Sequence, residues 1–299
     1  MKRLIVNADD FGLTHGVNLA IAACHQRGIV SSATLMATGA CFDEAVGMAA
    51  QLPLLSVGCH VVLVDGEPLL PASQVRSLLA PGTNHFYHSI GEVLRAVAGG
   101  RFRAEEVEAE ARAQFARLQG SGIEVSHFDA HKHTHMFPLL LRPLLRAASA
   151  HGIRAVRNPF EAPGAVSWSQ AQHDKTLLVR KAETTLLRRW LYGRWLRTVR
   201  ESGFATTDGG LGIAATGTLD EARLRAMLKQ LRSGTWELVC HPGYNDSELA
   251  AIRTKLRESR EVEMRALLAM SPIELRDQYG AELVTFRKQS PQPADAAHI

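Results

Sequence analysis

Cysteine is scarce in this chain of 299 residues, which has four, at positions 24, 41, 59 and 240. No two of them form a Cys-x-x-Cys pair, so the spacing excludes the usual thiol zinc sites and redox pairs. We expect reduced, mostly structural thiols. With 46% hydrophobic and 21% charged residues, the chain also lacks the composition of a disordered or fibrous protein. A globular protein with a sizeable core is expected.

Long hydrophobic runs are also missing. No run of about 18 apolar residues occurs, which argues against a transmembrane helix. The first ten residues, MKRLIVNADD, place only a short apolar stretch before two acids, unlike a signal peptide, so we expect a cytoplasmic protein. Charge is nearly balanced, because 34 basic and 30 acidic residues give a net charge of +4. That excess does not indicate a nucleic-acid partner without a clustered basic patch.

The chain does contain an alternation of short apolar strand-like segments with helical ones, from residue 4 to residue 286. The alternation, with no internal repeat or linker, predicts a parallel sheet. The number of units favours a single-domain α/β protein, a distorted (β/α) TIM-like barrel over residues 1–287. Residues 288–299 contain two prolines and no apolar pattern, and they are predicted to be a disordered tail.

Three local predictions concern single elements of this pattern. Residues 94–118 and 248–270 are each predicted to form one continuous helix. Residues 153–156 are predicted to form a strand.

Active sites of such barrels lie at the C-terminal ends of the strands, so the residues just after each strand are the first candidates for chemistry. Acids or histidines occupy these positions after four predicted strands and would meet at one face. The four segments are Asp9-Asp10, Gly58–His60, Asp129–His135 and Cys240–Gly243.

Asp9 and Asp10 are adjacent carboxylates that point in different directions, so one could bind a cation while the other handles protons. The alternative is a helix cap or a turn before Gly12. His60 lies inside an apolar run, where a lone histidine is more often a hydrogen-bonded core residue. His241 could be an exposed turn residue. Each becomes a stronger candidate only because the others converge on the same face.

The segment DAHKHTH, residues 129–135, is the densest cluster. In an extended strand, Asp129, His131, His133 and His135 share one side. Residues two apart lie about 6–7 Å from each other along a strand, so the three histidines cannot all bind the same ion. One ligand with supporting neighbours is expected. The alternative is a fortuitous histidine-rich turn.

Asp10, His60 and His131 together provide one carboxylate and two imidazoles. This set suits a hydrolytic Zn²⁺ site and equally a non-haem iron facial triad, so an iron oxygenase is an alternative to a hydrolase. A non-catalytic binding protein is a third possibility, but it leaves these residues unexplained. Arg157, after the predicted fifth strand, could pair with one of the paired acids or form only a surface ion pair.

In their order along the chain, these segments resemble the YdjC-like (ChbG-type) carbohydrate deacetylases. Within that family the chain is most similar to the hopanoid-associated HpnK subgroup, because of the segment TTDG at 206–209 and the arginine-rich region before it. The segments that carry the family resemblance are NADDFG at 7–12, GCH at 58–60, HFDAHKHTH at 127–135 and CHPG at 240–243.

The resemblance implies a distorted barrel with one divalent metal ion, Zn²⁺ or Mg²⁺. It implies removal of an acetyl group from an N-acetylglucosamine-bearing substrate, N-acetylglucosaminyl bacteriohopanetetrol first and a soluble chito-oligosaccharide as the alternative. By the same resemblance, Asp10, His60 and His131 are the metal ligands and Asp9 is the general base. His241 is the acid that protonates the leaving amine.

The chain departs from the usual family pattern at three positions, Cys59, Ala130 and Lys132. None of these departures removes a ligand. Lys132 adds positive charge near the site, which bears on substrate preference.

Residues 186–197, LLRRWLYGRWLR, mix arginine with leucine and tryptophan. At helical spacing, Leu187, Trp190, Leu191 and Trp195 lie near one face, as in helices that lie in a membrane interface. The alternative is a surface helix that packs its apolar face on the barrel. With a lipid-linked sugar as substrate, peripheral contact of residues 186–200 with the inner face of the membrane is the hypothesis.

Overall fold

The computed structural model describes residues 1–166 and 174–288. Its centre is one seven-stranded sheet in which every pairing is parallel. Helices cover the outside of this curled sheet, as the predicted α/β barrel requires. The strands are β1 (Lys2–Phe11), β2 (Ser32–Leu35), β3 (Ser56–Val61), β4 (Phe128–Ala130), β5 (Gly209–Leu211), β6 (Gly234–Cys240) and β7 (Ala281–Leu283).

The helices alternate with the strands in the first half of the chain and cluster near the C-terminal end. Within the described ranges, three short 3₁₀ helices accompany them, Arg76–Leu78, His131–Met136 and Phe286–Lys288. The α-helices are α1 (His15–Arg27), α2 (Phe42–Gln51), α3 (Ile90–Ala98), α4 (Ala104–Gly120), α5 (Pro138–Ala150), α6 (Lys175–Glu201), α7 (Glu221–Lys229), α8 (Ser247–Ala251), α9 (Glu258–Leu268) and α10 (Pro272–Tyr279).

The strands are arranged in the order β4-β3-β2-β1-β6-β5, and β7 pairs with the beginning of β1. Single parallel bridges, Phe128 with Val156, Ala155 with Ala205 and Glu161 with Gly210, continue the sheet between β4 and β5. The sheet therefore curls into an irregular barrel. Residues 153–156 were predicted to form a strand. They contribute two isolated bridges, at Ala155 and Val156, in place of a continuous ladder.

The register of β1 explains why the site forms at one end. Ala8 pairs with Cys240 on β6, so the residues after them leave neighbouring strands at the same level. His60 pairs with Asp129 on β4 in the same way. Residues 4–6 of β1 are fully buried, since apolar side chains cover both faces of this central strand. The buried central strand therefore holds Asp9 and Asp10 in fixed positions near its C-terminal end.

Two helix predictions are wrong in their boundaries. Residues 94–118 form parts of α3 and α4, which Gly99 and Gly100 separate; Gly100 adopts φ +68°, which a continuous helix does not allow. Residues 248–270 form parts of α8 and α9. A further helix, α10, begins after the capping hydroxyl of Ser271 and ends at Gly280, which has φ +62°.

The prediction that Asp129, His131, His133 and His135 alternate along one extended strand is also wrong. Strand β4 ends at Ala130, and residues 131–136 form a 3₁₀ turn. Lys132 and His133 have φ values of +52° and +55°, in the left-handed region. Two consecutive residues there turn the chain sharply, so the histidines point in different directions.

Helix α6, which contains the arginine-rich region, mostly packs its predicted apolar face on the barrel, as the alternative to a membrane helix expected. Trp195 is fully buried and donates its Nε1–H to the carbonyl of His135 at 3.1 Å, while Leu187 and Leu191 pack on the core. Trp190 alone of the predicted apolar face is open to solvent, at 74% exposure. In the described parts of the chain, no helix is long and apolar enough to cross a membrane. The predicted tail falls almost wholly on residues 289–299, outside the described ranges.

Candidate active site

Every residue that the sequence singled out as a site residue lies at one end of the barrel. Asp9 and Asp10 come from the end of β1, His60 from β3, His131 from the turn after β4, and His241 from the segment after β6. All except His131 are at least nine-tenths buried. Asp10 has φ +67°, so the chain turns between the two aspartates and their side chains diverge. Strain of this kind is typical of functional sites.

Asp10, His60 and His131 present three potential ligand atoms to one point. His60 Nε2 lies 3.2 Å from His131 Nδ1 and 3.5 Å from Asp10 Oδ1, and His131 Nδ1 lies 3.6 Å from the same oxygen. A tetrahedral ion with bonds of about 2.0–2.1 Å separates its ligands by about 3.3 Å. The three atoms therefore fit a small divalent ion.

Asp129 holds the ring of His60 from behind. Its Oδ1 lies 2.7 Å from His60 Nδ1, which leaves Nε2 facing the other two ligand atoms. A carboxylate on the second ring nitrogen of a ligand histidine fixes the ring and its tautomer. Burial opposes a charged His60, but Asp129, Asp9 and Asp10 outweigh it and raise the pKa of His60 to about 9. Binding of a cation requires loss of that proton.

A second buried cluster of charged side chains is centred on Arg157 and includes Asp9 and Asp129. The guanidinium donates to both oxygens of Asp9, at 2.6 and 2.7 Å, and also pairs with Asp129. Its Nε donates to Glu237 at 2.6 Å. The predicted pairing of Arg157 with one of the paired acids is confirmed. Asp9, His60 and Asp129 also cluster closely enough for an ion, but Arg157 already pairs with both carboxylates.

Burial raises the pKa of Asp9 and of Glu237, and the charge of Arg157 lowers it. Burial alone raises the pKa of Asp9, but the charge of Arg157 outweighs it and holds that pKa far below its ordinary value. At Glu237, burial wins over Arg157 and raises the pKa to about 7. Asp9 is therefore ionised throughout the neutral range, as a proton acceptor must be.

His241 lies between Asp9 and Glu263. Its Nε2 is 3.8 Å from Asp9 Oδ2, and its Nδ1 is 3.8 Å from Glu263 Oε2. The backbone N–H of His241 donates to the same glutamate oxygen at 2.6 Å. Burial lowers the pKa of His241, but Glu263 outweighs burial and raises it above the ordinary value. A protonated imidazole is thus favoured beside the candidate base.

Helix α9 contributes a second arginine. Arg260 Nη2 donates to Asp10 Oδ2 at 2.5 Å, and both side chains are buried. Burial raises the pKa of Asp10, but Arg260 outweighs it and holds that pKa well below its usual range. Each of the adjacent aspartates therefore has its own arginine.

The remaining members of the histidine-rich segment lie outside the three-ligand cluster. His135 Nε2 is 3.2 Å from the carbonyl of Arg157. His133 Nδ1 is buried and has no hydrogen-bond partner among the described residues. Lys132 pairs with Asp65 at 2.6 Å, so its positive charge is largely balanced before any substrate binds.

Sequence reasoning missed Glu237, Arg260 and Glu263, which are all buried. Glu237 had a detectable signal, since it is a lone acid within an otherwise apolar strand. Arg260 and Glu263 lie in a segment rich in charged residues, where nothing in the sequence separates them from solvent-facing neighbours.

Several known proteins are similar over most of the chain. A carbohydrate deacetylase of Thermoanaerobacter pseudethanolicus is 26% identical over 89% of this chain and 91% of its own length. A chitooligosaccharide deacetylase of Serratia marcescens is 28% identical over 90% and 91%. A carbohydrate deacetylase of Brevibacillus brevis is 40% identical, but the match spans 53% of this chain and 60% of that enzyme.

Among solved structures, one from Enterococcus faecalis V583 is described as a candidate cellobiose-phosphate cleavage protein. It is 25% identical, with a TM-score of 0.71, and the match covers 95% of this chain and 97% of that one. The family described as YdjC-like protein matches residues 3–274 of this chain. With the fold, the site and this match in agreement, the chain belongs to the YdjC-like family.

Proposed function

We propose that this protein is a metal-dependent N-deacetylase that hydrolyses the acetamide of an N-acetylglucosamine-bearing substrate to a free amine and acetate. The observation that carries the proposal is the convergence of Asp10, His60 and His131 beside Asp9 and His241. Relatives named as carbohydrate and chitooligosaccharide deacetylases support it. Family membership also favours hydrolysis over the iron-oxygenase alternative.

Asp10, His60 and His131 would hold the ion, which is Zn²⁺ or Mg²⁺. When bound, a divalent ion supplies the positive charge that polarises an acetyl carbonyl and makes water more acidic. The triad would leave room for water and the acetyl oxygen, because the described part of the chain contributes three donor atoms to it.

Asp9 accepts the proton of the attacking water, for which its ionised state suits it. Arg157 holds both oxygens of Asp9, so the carboxylate keeps one orientation during the reaction. His241, whose pKa Glu263 raises against the effect of burial, donates a proton to the nitrogen as the C–N bond breaks. The amine then leaves as a neutral group, and acetate remains to be released.

For the group attached to the sugar, we propose a hopanoid, as in N-acetylglucosaminyl bacteriohopanetetrol. The support is the similarity of residues 206–209 and of the arginine-rich helix to the HpnK subgroup. A soluble chito-oligosaccharide is the second candidate, which the name of the Serratia relative favours.

A peripheral membrane contact would accompany the lipid-linked substrate. Its support is an exposed apolar face of α6 that shares only Trp190 with the predicted one, with Val179, Leu186 and Trp190 at 56%, 57% and 74% exposure. Exposed arginines 189, 194 and 197 lie on the same helix and would favour anionic headgroups. Co-sedimentation with anionic vesicles at low salt tests this contact. Binding should fall in a Leu186→Ser/Trp190→Ser variant, and absence of wild-type binding would contradict the contact.

Acetate release tests the activity directly. The purified chain, stripped by a chelator and reloaded with Zn²⁺ or Mg²⁺, should release acetate from the hopanoid substrate and lose this activity without metal. N,N′-diacetylchitobiose is assayed in parallel. Release from chitobiose alone would retain the deacetylase and reject the lipid. No release from either, with metal bound, would contradict both substrate assignments.

A further inference from the structure

Arg260 is a buried charge to which the steps of the proposed reaction assign no role. It is 1% exposed and lies on α9, 250 residues after the aspartate that it contacts. Its Nη2 donates to Asp10 Oδ2, and its Nε donates to the carbonyl of Leu256 at 3.2 Å. Its Nη1 is buried without a hydrogen-bond partner among the described residues. Burying such a cation is costly unless it is paired, and Asp10 provides the pair. What remains to be explained is the effect of Arg260 on that carboxylate.

A carboxylate can bind a cation through one oxygen or through both. At Asp10 the two oxygens have separate partners, because Oδ2 faces the guanidinium and Oδ1 faces His60 Nε2 and His131 Nδ1. The left-handed backbone of Asp10 further restricts the side chain. Only Oδ1 is therefore presented to the ligand cluster.

We propose that Arg260 is a positioning residue that keeps Asp10 a one-oxygen ligand and lowers the affinity of the site for its cation. The inference rests on the proposed metal site. Reserving Oδ2 for Arg260 leaves one more coordination position for water and the acetyl oxygen. The guanidinium also repels the cation, since it lies beside the same carboxylate. Removal of Arg260 should therefore tighten cation binding while reducing the rate of hydrolysis.

A purely structural role makes a different prediction. If Arg260 only fastens α9 to the barrel, its loss would lower stability and leave the coordination of the cation unchanged. The two roles are separated by measuring the cation itself rather than turnover.

Co²⁺ serves as the probe, because the intensity of its visible absorption reports the coordination number. The metal-free full-length chain is titrated with Co²⁺ as wild type, Arg260→Gln, Arg260→Lys and Arg265→Gln. Arg265 is the matched control, on the same helix but 64% exposed, and among the described residues it pairs with Glu261 alone. Affinities come from calorimetry, and circular dichroism establishes that each variant is folded.

We expect Arg260→Gln to bind Co²⁺ roughly tenfold tighter, given the Coulomb energy of a unit charge at this range. Its absorption should weaken, as a higher coordination number requires. Arg260→Lys should lie between this variant and wild type, and Arg265→Gln should match wild type.

Wild-type affinity and absorption in Arg260→Gln would overturn the inference. If that variant does not fold, wild-type values in Arg260→Lys would overturn it instead. A wild-type chain that fails to bind Co²⁺ would overturn the metal site and this inference together. Acetate release by the reloaded wild type, measured separately, shows whether the proposed function stands when the inference fails.

Discussion

Asp9 and Asp10 are neighbours with the same side chain, and each contacts one buried arginine, yet their surroundings prepare them for different tasks. Arg157 takes both oxygens of Asp9. Arg260 takes one oxygen of Asp10 and leaves the other facing two imidazole nitrogens. Both carboxylates have lowered pKa values and are ionised. Their difference is therefore one of geometry rather than of charge.

This comparison shows how one turn of backbone can separate two roles. Because Asp10 has a positive φ, the two side chains face different elements, the Arg157 network on one side and α9 on the other. A carboxylate with both oxygens held keeps one orientation, which suits the proposed proton acceptor Asp9. A carboxylate with one oxygen held leaves the other free, which suits the proposed ligand Asp10. Substitutions on each side can therefore test the two roles separately.

The largest effect is expected on the side of Asp10. His60→Gln removes a ligand and should weaken Zn²⁺ binding by more than about 100-fold, beyond the roughly 10–100-fold typical of losing a supporting residue. Acetate release should fall to background. Calorimetry measures the affinity, and His85→Gln, an exposed histidine, is the control. Wild-type affinity in His60→Gln would remove His60 from the ligand set.

On the side of Asp9, the sharpest test is stability. Arg157→Met leaves Asp9, Asp129 and Glu237 buried without their shared cation and should lower the free energy of unfolding by about 3–5 kcal/mol. Urea denaturation measures it. Arg146, which pairs with Glu108 at 52% exposure, is the control, and Arg146→Met should cost less than about 1 kcal/mol. Equal losses in the two variants would show that the Arg157 network is not a stabilising centre.

Asp129 connects the two groups of residues, since it contacts His60 beside Asp10 and Arg157 beside Asp9. Asp129→Asn keeps the shape but removes the charge behind the ligand histidine, so metal affinity should fall by roughly 10–100-fold. A chelator competition assay measures the change. If affinity is unchanged while stability falls, Asp129 serves only the Arg157 network.

The smallest effect concerns pH. Burial lowers the pKa of His241, but Glu263 outweighs it and raises that pKa, so the acid form persists to higher pH than it would without Glu263. Glu263→Gln keeps an acceptor for the backbone N–H but removes the charge, and the alkaline limb of the kcat/KM profile should move to lower pH. The acidic limb provides the internal control. An unmoved alkaline limb would argue against His241 as the acid.

The sequence was sufficient to predict the barrel and the residues at its strand ends. Apolar strands alternate visibly with helices, and parallel strands deliver Asp9, His60 and His241 to one end whatever the details of the loops. The turn after β4 was not predictable in the same way. The extended arrangement of residues 129–135 was wrong because Lys132 and His133 adopt left-handed conformations that their residue types do not signal.

The charges around the site were predictable only where they come directly after a strand. Arg157 was found because it stands next to an apolar segment. Arg260 and Glu263 reach the site through the packing of α9 against the barrel, a long-range arrangement that local patterns do not encode. The apolar face of the arginine-rich helix was assigned to the membrane for a similar reason, since helical spacing alone cannot tell the core from a lipid surface.

The most direct test of the two-aspartate mechanism measures bound metal and acetate release in the same preparations of wild type, Asp9→Asn and Asp10→Asn. Both variants should fail to release acetate. Asp9→Asn should retain metal at the wild-type level, because its oxygens face Arg157, whereas Asp10→Asn should lose it. Loss of metal in Asp9→Asn, or full turnover in either variant, would contradict the division of labour between the two aspartates.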